Sequence, residues 1–284
     1  MIAPAPIPDL SIDAIDRRLA AACDRGALQP IRTEQTLLHD RGLTFVVKWI
    51  ARDALAGHRH KPARSPHHNP FLPPEDALTF GALGPTHLVL LNKYPVMPRH
   101  LLVVTRAFEP QTAAITDADF AALGTIVAAH GGLGFYNAGE RAGASQDHKH
   151  LQWIPDLPPL AQQLATLPLG DDSPFGFRHA FAALPAATWS GVSMGEALGQ
   201  RYRALLARVG FDPEAAELPP YNLLMTRAWM WLIPRRAERW QHMSINALGF
   251  AGSLFVKSRE QLPALAEAGP LALLEAVAES AYAA

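Results

Sequence analysis

The stretch GASQDHKHLQWIP at residues 143–155 sets the tightest limit on how this chain folds. His148, His150 and Gln152 alternate there with Lys149, Leu151 and Trp153. On a strand, residues two apart share a face, so the three polar side chains form a row while Leu151 and Trp153 pack behind it. On a helix the same spacing scatters them. Chemistry that uses the three together therefore requires an extended backbone, and a sheet to carry it.

The remaining strand signals fit such a sheet. TFVVKWI (44–50), THLVLLN (86–92), HLLVVTR (100–106), LGFYN (133–137), YNLLMTR (221–227), WMWLIPR (229–235) and LGFAGSLFV (248–256) are apolar runs of strand length. KYPVMPR links the second and third, and its prolines suit a turn. That short link favours an antiparallel pair. Helical spacing marks 9–25, with Ser11 as N-cap and Gly26 as stop. Thr116 and Asp119 resemble a capping pair for a helix through Phe120, Leu123 and Val127 that ends at Gly131-Gly132. A further helix is expected over 194–210, and a terminal one from Arg259 to Tyr282 that Gly269-Pro270 can break. Residues 155–193 read as a long irregular crossover, and 57–76 as a loop rich in Pro, His and basic residues.

Bulk properties narrow the class. The chain has 284 residues, 49% hydrophobic and 18% charged, enough for a substantial core in one large domain or two small ones. The formal net charge of −1 gives no global reason to bind nucleic acid, so a polyanionic ligand needs local cations. Cys23 is the only cysteine, which rules out an intramolecular disulfide and a Cys-rich zinc site. MIAPAPIPDL has no signal-peptide pattern, and no apolar run approaches the ~20 residues of a membrane helix. A soluble cytoplasmic protein is expected. No GxGxxG or GxxxxGK[ST] supports a Rossmann or P-loop site.

The His-x-His-x-Gln row has three readings. The imidazoles bind a metal; or one is a nucleophile with Gln152 as a hydrogen-bonding partner; or both are ordinary satisfied histidines on a half-buried strand. Gly143, Ala144 and Ser145 favour a ligand, since small residues let backbone N–H groups approach an anion. Asn137 precedes them on the adjacent expected strand.

FYNAGERAGASQDHKHLQWIP (135–155) closely resembles the diadenosine tetraphosphate (Ap4A) phosphorylases, also called ATP adenylyltransferases. These belong to the histidine-triad superfamily beside the galactose-1-phosphate uridylyltransferases. LNKYPVMPRHLLVVTRAFEPQ (91–111), NPFLPPEDAL (69–78), YNLLMTRAWMWLIPRRAE (221–238) and SINALGFAGSLFVK (244–257) are similar to further family segments in the same order.

The resemblance implies an α+β fold: a histidine-triad-like antiparallel sheet with flanking helices, open to two related halves in one chain. It divides the chain into a catalytic region at 1–160 and a C-terminal region at 161–284 that completes the fold and the nucleotide site. It makes His150 the nucleophile that carries the adenylyl group, with His148 supporting it. Gln152 stands where the hydrolytic branch has a third histidine. An amide can donate to a phosphoryl oxygen but cannot serve as general acid, which suffices for a polyphosphate leaving group. The implied substrate contacts are Lys61, Asn92, Lys93, Asn137, Gly143, Ala144, Ser145, Gln146, Asn246 and Lys257.

The implied reaction is ping-pong phosphorolysis of Ap4A to ATP and ADP, with the reverse synthesis from ATP and ADP. A divalent cation, Mg2+, is expected on the substrate phosphates, with no protein-held metal. Small molecules (Ap4A, ATP, ADP, phosphate) are the expected partners, with no nucleic acid, no membrane and a monomer sufficing. The alternatives are a uridylyltransferase, a dinucleoside polyphosphate hydrolase, a non-catalytic nucleotide sensor and a metal-dependent hydrolase. His58, His60, His67 and His68 fit no standard zinc spacing and are read as part of a mobile loop or lid. Trp153, Trp229 and Trp231 are read as core.

Overall fold

A computed structural model describes residues 7–51, 69–167, 173–191 and 193–281. Lys61 and the histidines at 58, 60, 67 and 68 lie outside the described residues. The chain starts with α1 (Ile12–Asp24), capped by Ser11 as expected, then β1 (Thr33–Asp40) and β2 (Leu43–Ile50). Next come β3 (Thr79–Leu83), β4 (His87–Leu91), β5 (Leu101–Thr105) and α2 (Asp117–His130), which opens on a full capping box of Thr116 and Asp119. Strands β6 (Leu133–Ala138) and β7 (His150–Ile154) follow.

The segment read as an irregular crossover instead holds a short helix, α3 (Pro159–Gln163), and β8 (Ala180–Ala183). Helix α4 (Met194–Arg208) leads to β9 (Tyr221–Met225) and β10 (Trp229–Pro234), then a small hairpin of β11 (Arg239–Trp240) and β12 (Met243–Ser244). The run 248–256, expected as one strand, divides into α5 (Ala247–Phe250) and β13 (Ser253–Val256). Asn246 caps α5 by accepting from Leu248 N–H, and Gly252 turns the chain at φ +91° where Leu160 leaves no room for a Cβ. The terminal helix is interrupted where Gly269-Pro270 predicts, giving α6 (Leu262–Ala268) and α7 (Pro270–Val277).

Eight strands form one antiparallel sheet in the order β3-β4-β5-β7-β6-β9-β10-β8. Helices α1, α2 and α4 cover one face, over a core that includes Leu101, Val103, Leu151, Trp153, Leu123 and Leu205. Over the C-terminal half of the other face lie the small sheet β1-β2-β13 and helices α5 to α7. Among the described residues, the N-terminal half of that face carries a small cluster of Phe71, Leu90, Leu102 and Val104, beside the histidine row.

The register exposes an internal repeat. Strands β5, β6 and β7 with α2, and β8, β9 and β10 with α4, are connected alike, and the last strand of each unit lies in its middle. Leu101 faces Trp153 and Leu102 faces Gln152; Ala180 faces Leu232 and Phe181 faces Trp231. Each residue of the second set lies 79 positions after its counterpart (101 to 180, 153 to 232). Phe135 faces both Gln152 and Leu224, and Leu224 faces Trp231, so a pseudo-twofold axis passes between Phe135 and Leu224. The two related halves share one sheet. Trp229 and Trp231 occupy in the second half the places of His150 and Gln152 in the first. They are packed shut by Phe175, Phe177, Phe181 and Phe250, so the polar row exists in one half only.

Candidate active site

His150 opens β7 and is almost wholly buried, at 4% exposure. Its Nδ1 lies 2.8 Å from the carbonyl oxygen of His148. A carbonyl only accepts, so the proton of the neutral ring sits on Nδ1 and the lone pair on Nε2. Gln111, which sequence reasoning missed, clamps this residue in place. Its Oε1 accepts from His150 N–H at 2.8 Å, and its Nε2 donates to the carbonyls of Asn137 (2.8 Å) and His150 (3.3 Å). No local sequence signal marks it, because the clamp forms across three segments.

His148 precedes the strand as an isolated bridge to Pro110, rather than as its first residue. Its Nε2 lies 2.7 Å from the Thr105 carbonyl and 2.9 Å from Thr105 Oγ1. Its Nδ1 lies 2.9 Å from Asn69 Nδ2, whose amide is oriented by Phe71 N–H donating to Asn69 Oδ1 at 3.0 Å. Burial pulls the His148 pKa down, against the opposing pull of the Thr105 carbonyl, and keeps the ring neutral. Both nitrogens are engaged by protein, which makes His148 a support for its neighbour. Phe71 packs against both rings, at 5.6 Å from His148 and 5.5 Å from His150.

Gln152, at the centre of β7, accepts at Oε1 from His100 Nε2 at 3.0 Å. Asn92, one of the expected substrate contacts, places Nδ2 3.1 Å from His100 Nδ1 and Oδ1 3.2 Å from Tyr94 N. His100 is a second residue that sequence reasoning missed.

The loop at 139–146 is built from below. Asn137 Oδ1 accepts from Asn222 Nδ2 and from Ala247 N–H, each at 2.9 Å. Buried Arg235 donates to Asn222 Oδ1 and to the carbonyls of Ala142, Ile245, Ala237 and Val277. Burial lowers its pKa to about 9, opposed by the Glu238 charge, so it is a cation at neutral pH. Gly143 has φ +88°, and a Cβ there would lie 2.7 Å from Asn246 Cβ and from the Ile245 carbonyl. The structure therefore brings Asn137, Gly143 and Asn246 together. Ala144 is buried, Gln146 half-buried and Ser145 exposed on the same loop.

Two further expected contacts, Lys93 and Lys257, lie on other segments of the chain. Lys93 Nζ pairs with Glu75 at 2.7 Å. Lys257 is exposed just past β13, with its backbone N–H on Gln261. Among the described residues no group of three or more His, Cys, Asp or Glu side chains could hold a metal ion, and no helix is long and apolar enough to cross a membrane.

A buried imidazole with its tautomer fixed by a backbone carbonyl, beside a carboxamide and a glycine-bearing loop, is an arrangement that group transfer through a nucleophilic histidine can use. The sequence matches the Ap4A phosphorylase N-terminal domain over residues 5–172 and the ATP adenylyltransferase C-terminal domain over residues 173–280, and the chain belongs to this family. It is 31% identical to diadenosine 5',5'''-P1,P4-tetraphosphate phosphorylase 2 of Saccharomyces cerevisiae over 292 aligned positions, covering 89% of each chain. It is 27% identical to Protein APA1 of the same yeast, covering 94% of this chain and 92% of that one. The crystal structure of yeast Ap4A phosphorylase Apa2 in complex with Ap4A superposes with a TM-score of 0.78 at 26% identity, over 95% of this chain and 98% of that one.

Proposed function

We propose that this chain catalyses phosphorolysis of Ap4A to ATP and ADP, and the reverse reaction, through an adenylyl group carried on His150. The observation that carries this reading is the bond from His150 Nδ1 to the His148 carbonyl, which sets the lone pair on Nε2. Nε2 attacks an α-phosphorus of Ap4A, the bond from that phosphorus to its bridging oxygen breaks, and ATP leaves with the electron pair. The imidazolium so formed keeps its Nδ1–H on the carbonyl, which disperses the new positive charge. A phosphate oxygen then attacks the same phosphorus. The N–P bond breaks, its electrons return to Nε2, and ADP departs.

Gln152 donates to a phosphoryl oxygen through its amide nitrogen in this scheme. Asn137, Gly143, Ala144, Ser145, Gln146 and Asn246 hold the adenylyl end. Lys61, Lys93 and Lys257 offset phosphate charge, as does a divalent cation, Mg2+, bound through the phosphate oxygens. A cytoplasmic monomer suffices for this chemistry.

The test is chromatography of products after mixing the protein with Ap4A and magnesium, with and without phosphate. ATP plus ADP appearing only with phosphate is the expected result. AMP plus ATP in the absence of phosphate would make the protein a hydrolase and overturn the reading.

A further inference from the structure

We propose that Asn92 and His100 form a polarity relay that fixes which end of the Gln152 carboxamide faces the transferring phosphoryl group. His100 is then a positioning residue for the reaction proposed above, on which this inference rests.

Each link has a forced direction. Tyr94 N–H can only donate, and it donates to Asn92 Oδ1 at 3.2 Å. The other end of that carboxamide, Nδ2, is therefore the one turned to His100 Nδ1 at 3.1 Å, and it donates. A ring nitrogen that accepts carries no proton, so neutral His100 holds its proton on Nε2 and gives it to Gln152 Oε1 at 3.0 Å. The acceptor end of Gln152 is thereby committed to the protein. Its NH2 end is the one presented to the anionic oxygens of a phosphoryl group. Reversal would aim a carbonyl dipole at those oxygens.

His100 is 5% exposed, and burial drives its pKa to about 4, so the ring is neutral at physiological pH. The titratable group facing it is His150, and a proton on either ring disfavours one on the other; Phe135 packs against His100 from β6, and Asn92 approaches from the turn after β4.

The pseudo-twofold supplies an internal control. Arg99-His100 ahead of β5 recurs as Arg178-His179 ahead of β8, 79 residues on. His179 Nδ1 lies 2.9 Å from the Phe177 carbonyl, so there Nδ1 is the donor and Nε2 faces Ser173 Oγ at 3.1 Å. Its ring packs on Trp231, the counterpart of Gln152. The same framework position thus holds opposite tautomers in the two halves. The acceptor-type Nδ1 occurs where Asn92 donates to it, in the half that carries the nucleophile.

The test uses the full chain and three variants, Asn92→Asp, His100→Gln and His100→Ala, with kcat and KM for Ap4A phosphorolysis from pH 6 to 8.5. A carboxylate at 92 accepts from Nδ1–H, reverses the His100 tautomer and turns Gln152 over. The expected loss for Asn92→Asp is roughly 10²-fold at pH 8, the size seen when one transition-state donor is removed, and it falls on kcat. The ratio of variant to wild-type kcat rises as pH falls, because the carboxylate favours a second proton on His100, and a doubly protonated ring donates to both partners. His100→Gln, whose amide accepts from Asn92 and donates to Gln152, retains activity within about tenfold, whereas His100→Ala loses roughly 10²-fold.

A pH-independent Asn92→Asp ratio, or His100→Gln as impaired as His100→Ala at an unchanged Tm, would overturn the relay. Nitrogen-15 shifts of the His100 ring read the tautomer directly, as Nε2–H in the wild type and Nδ1–H in Asn92→Asp. That measurement needs no turnover, so it separates failure of the relay from failure of the proposed reaction.

Discussion

Lys149 Nζ lies 2.6 Å from Asp119 Oδ2, and both side chains are cut off from solvent at 0% and 2% exposure. Lys149 stands between the two histidines of the row and points to the opposite face, where it also meets Glu109 Oε2 at 3.2 Å and the Ala114 carbonyl at 2.8 Å. His87 Nε2 closes the cluster on Asp119 Oδ1 at 2.7 Å. The residue that separates the histidines thus ties their strand to α2. Lys149→Met removes the cation and strands a buried carboxylate, and the expected cost is about 3 to 5 kcal/mol. Urea unfolding measures it; an unchanged midpoint would show that the pair contributes nothing beyond its own desolvation.

The same cluster sets an acid limit. Burial pushes the Asp119 carboxyl up, but hydrogen bonds from His87 and Lys149, the Lys149 charge and the Thr116 N–H together outweigh it and hold the pKa at about 2. A carboxyl depressed in the folded state adds stability that is complete above its unfolded pKa and disappears as pH falls through the folded one. The stability gap between wild type and Asp119→Asn is therefore expected to be full above about pH 4 and to shrink between pH 4 and pH 2. Denaturation midpoints across that range check it, and a constant gap would refute the assignment.

Gly143→Ala tests the loop proposed to hold the nucleotide. An alanine there must hold φ near +88° and place its Cβ 2.7 Å from the Ile245 carbonyl, so the 245–246 segment has to move. Backbone strain and overpacking of this kind cost about 1 to 3 kcal/mol. The expected outcome is a raised KM for Ap4A with a smaller change in kcat, since His150 and its tautomer-setting carbonyl lie outside the contact. Steady-state kinetics distinguishes this from a loss confined to kcat, which would place the loop at the reacting phosphorus instead.

The sequence carried the strands that are apolar on both faces, such as LLVVT at 101–105 and WMWLIP at 229–234, because burial on two sides leaves no polar interruption. It did not carry β1, whose TEQTLLHD packs by one face and is exposed along much of the other. Strand β8, only four residues long, was equally silent. The repeat is written in register rather than in composition: Gln152 and Trp231 are equivalent in the sheet and unlike as residues. The row His148, His150, Gln152 was legible from its period of two. Gln111, His100 and Arg235 were not, because each acts in part through a distant residue, such as Gln152 for His100 and Ala142 for Arg235, that only the folded chain brings near.

Arg235 shows what such a partner does for the site. One guanidinium spans Asn222, the Ala142 carbonyl in the loop before Gly143 and the Ile245 carbonyl beside Gly143. Asn222 in turn donates to Asn137 Oδ1 and to the Ala142 carbonyl. Arg235→Lys keeps the charge but replaces a planar fork with a point donor, which cannot reach acceptors on opposite sides. Each buried acceptor left unsatisfied costs about 1 to 3 kcal/mol, so the variant is expected to lose stability and to weaken AMP binding by at least roughly tenfold. The His100 and His150 tautomers are set by other bonds and should stay as in the wild type. Calorimetric titration with AMP and nitrogen-15 spectra of the histidine rings read the two effects separately. Wild-type affinity in Arg235→Lys would mean that the loop holds its shape without the guanidinium, and that Asn222, Ala247 and Gln111 suffice to position Asn137.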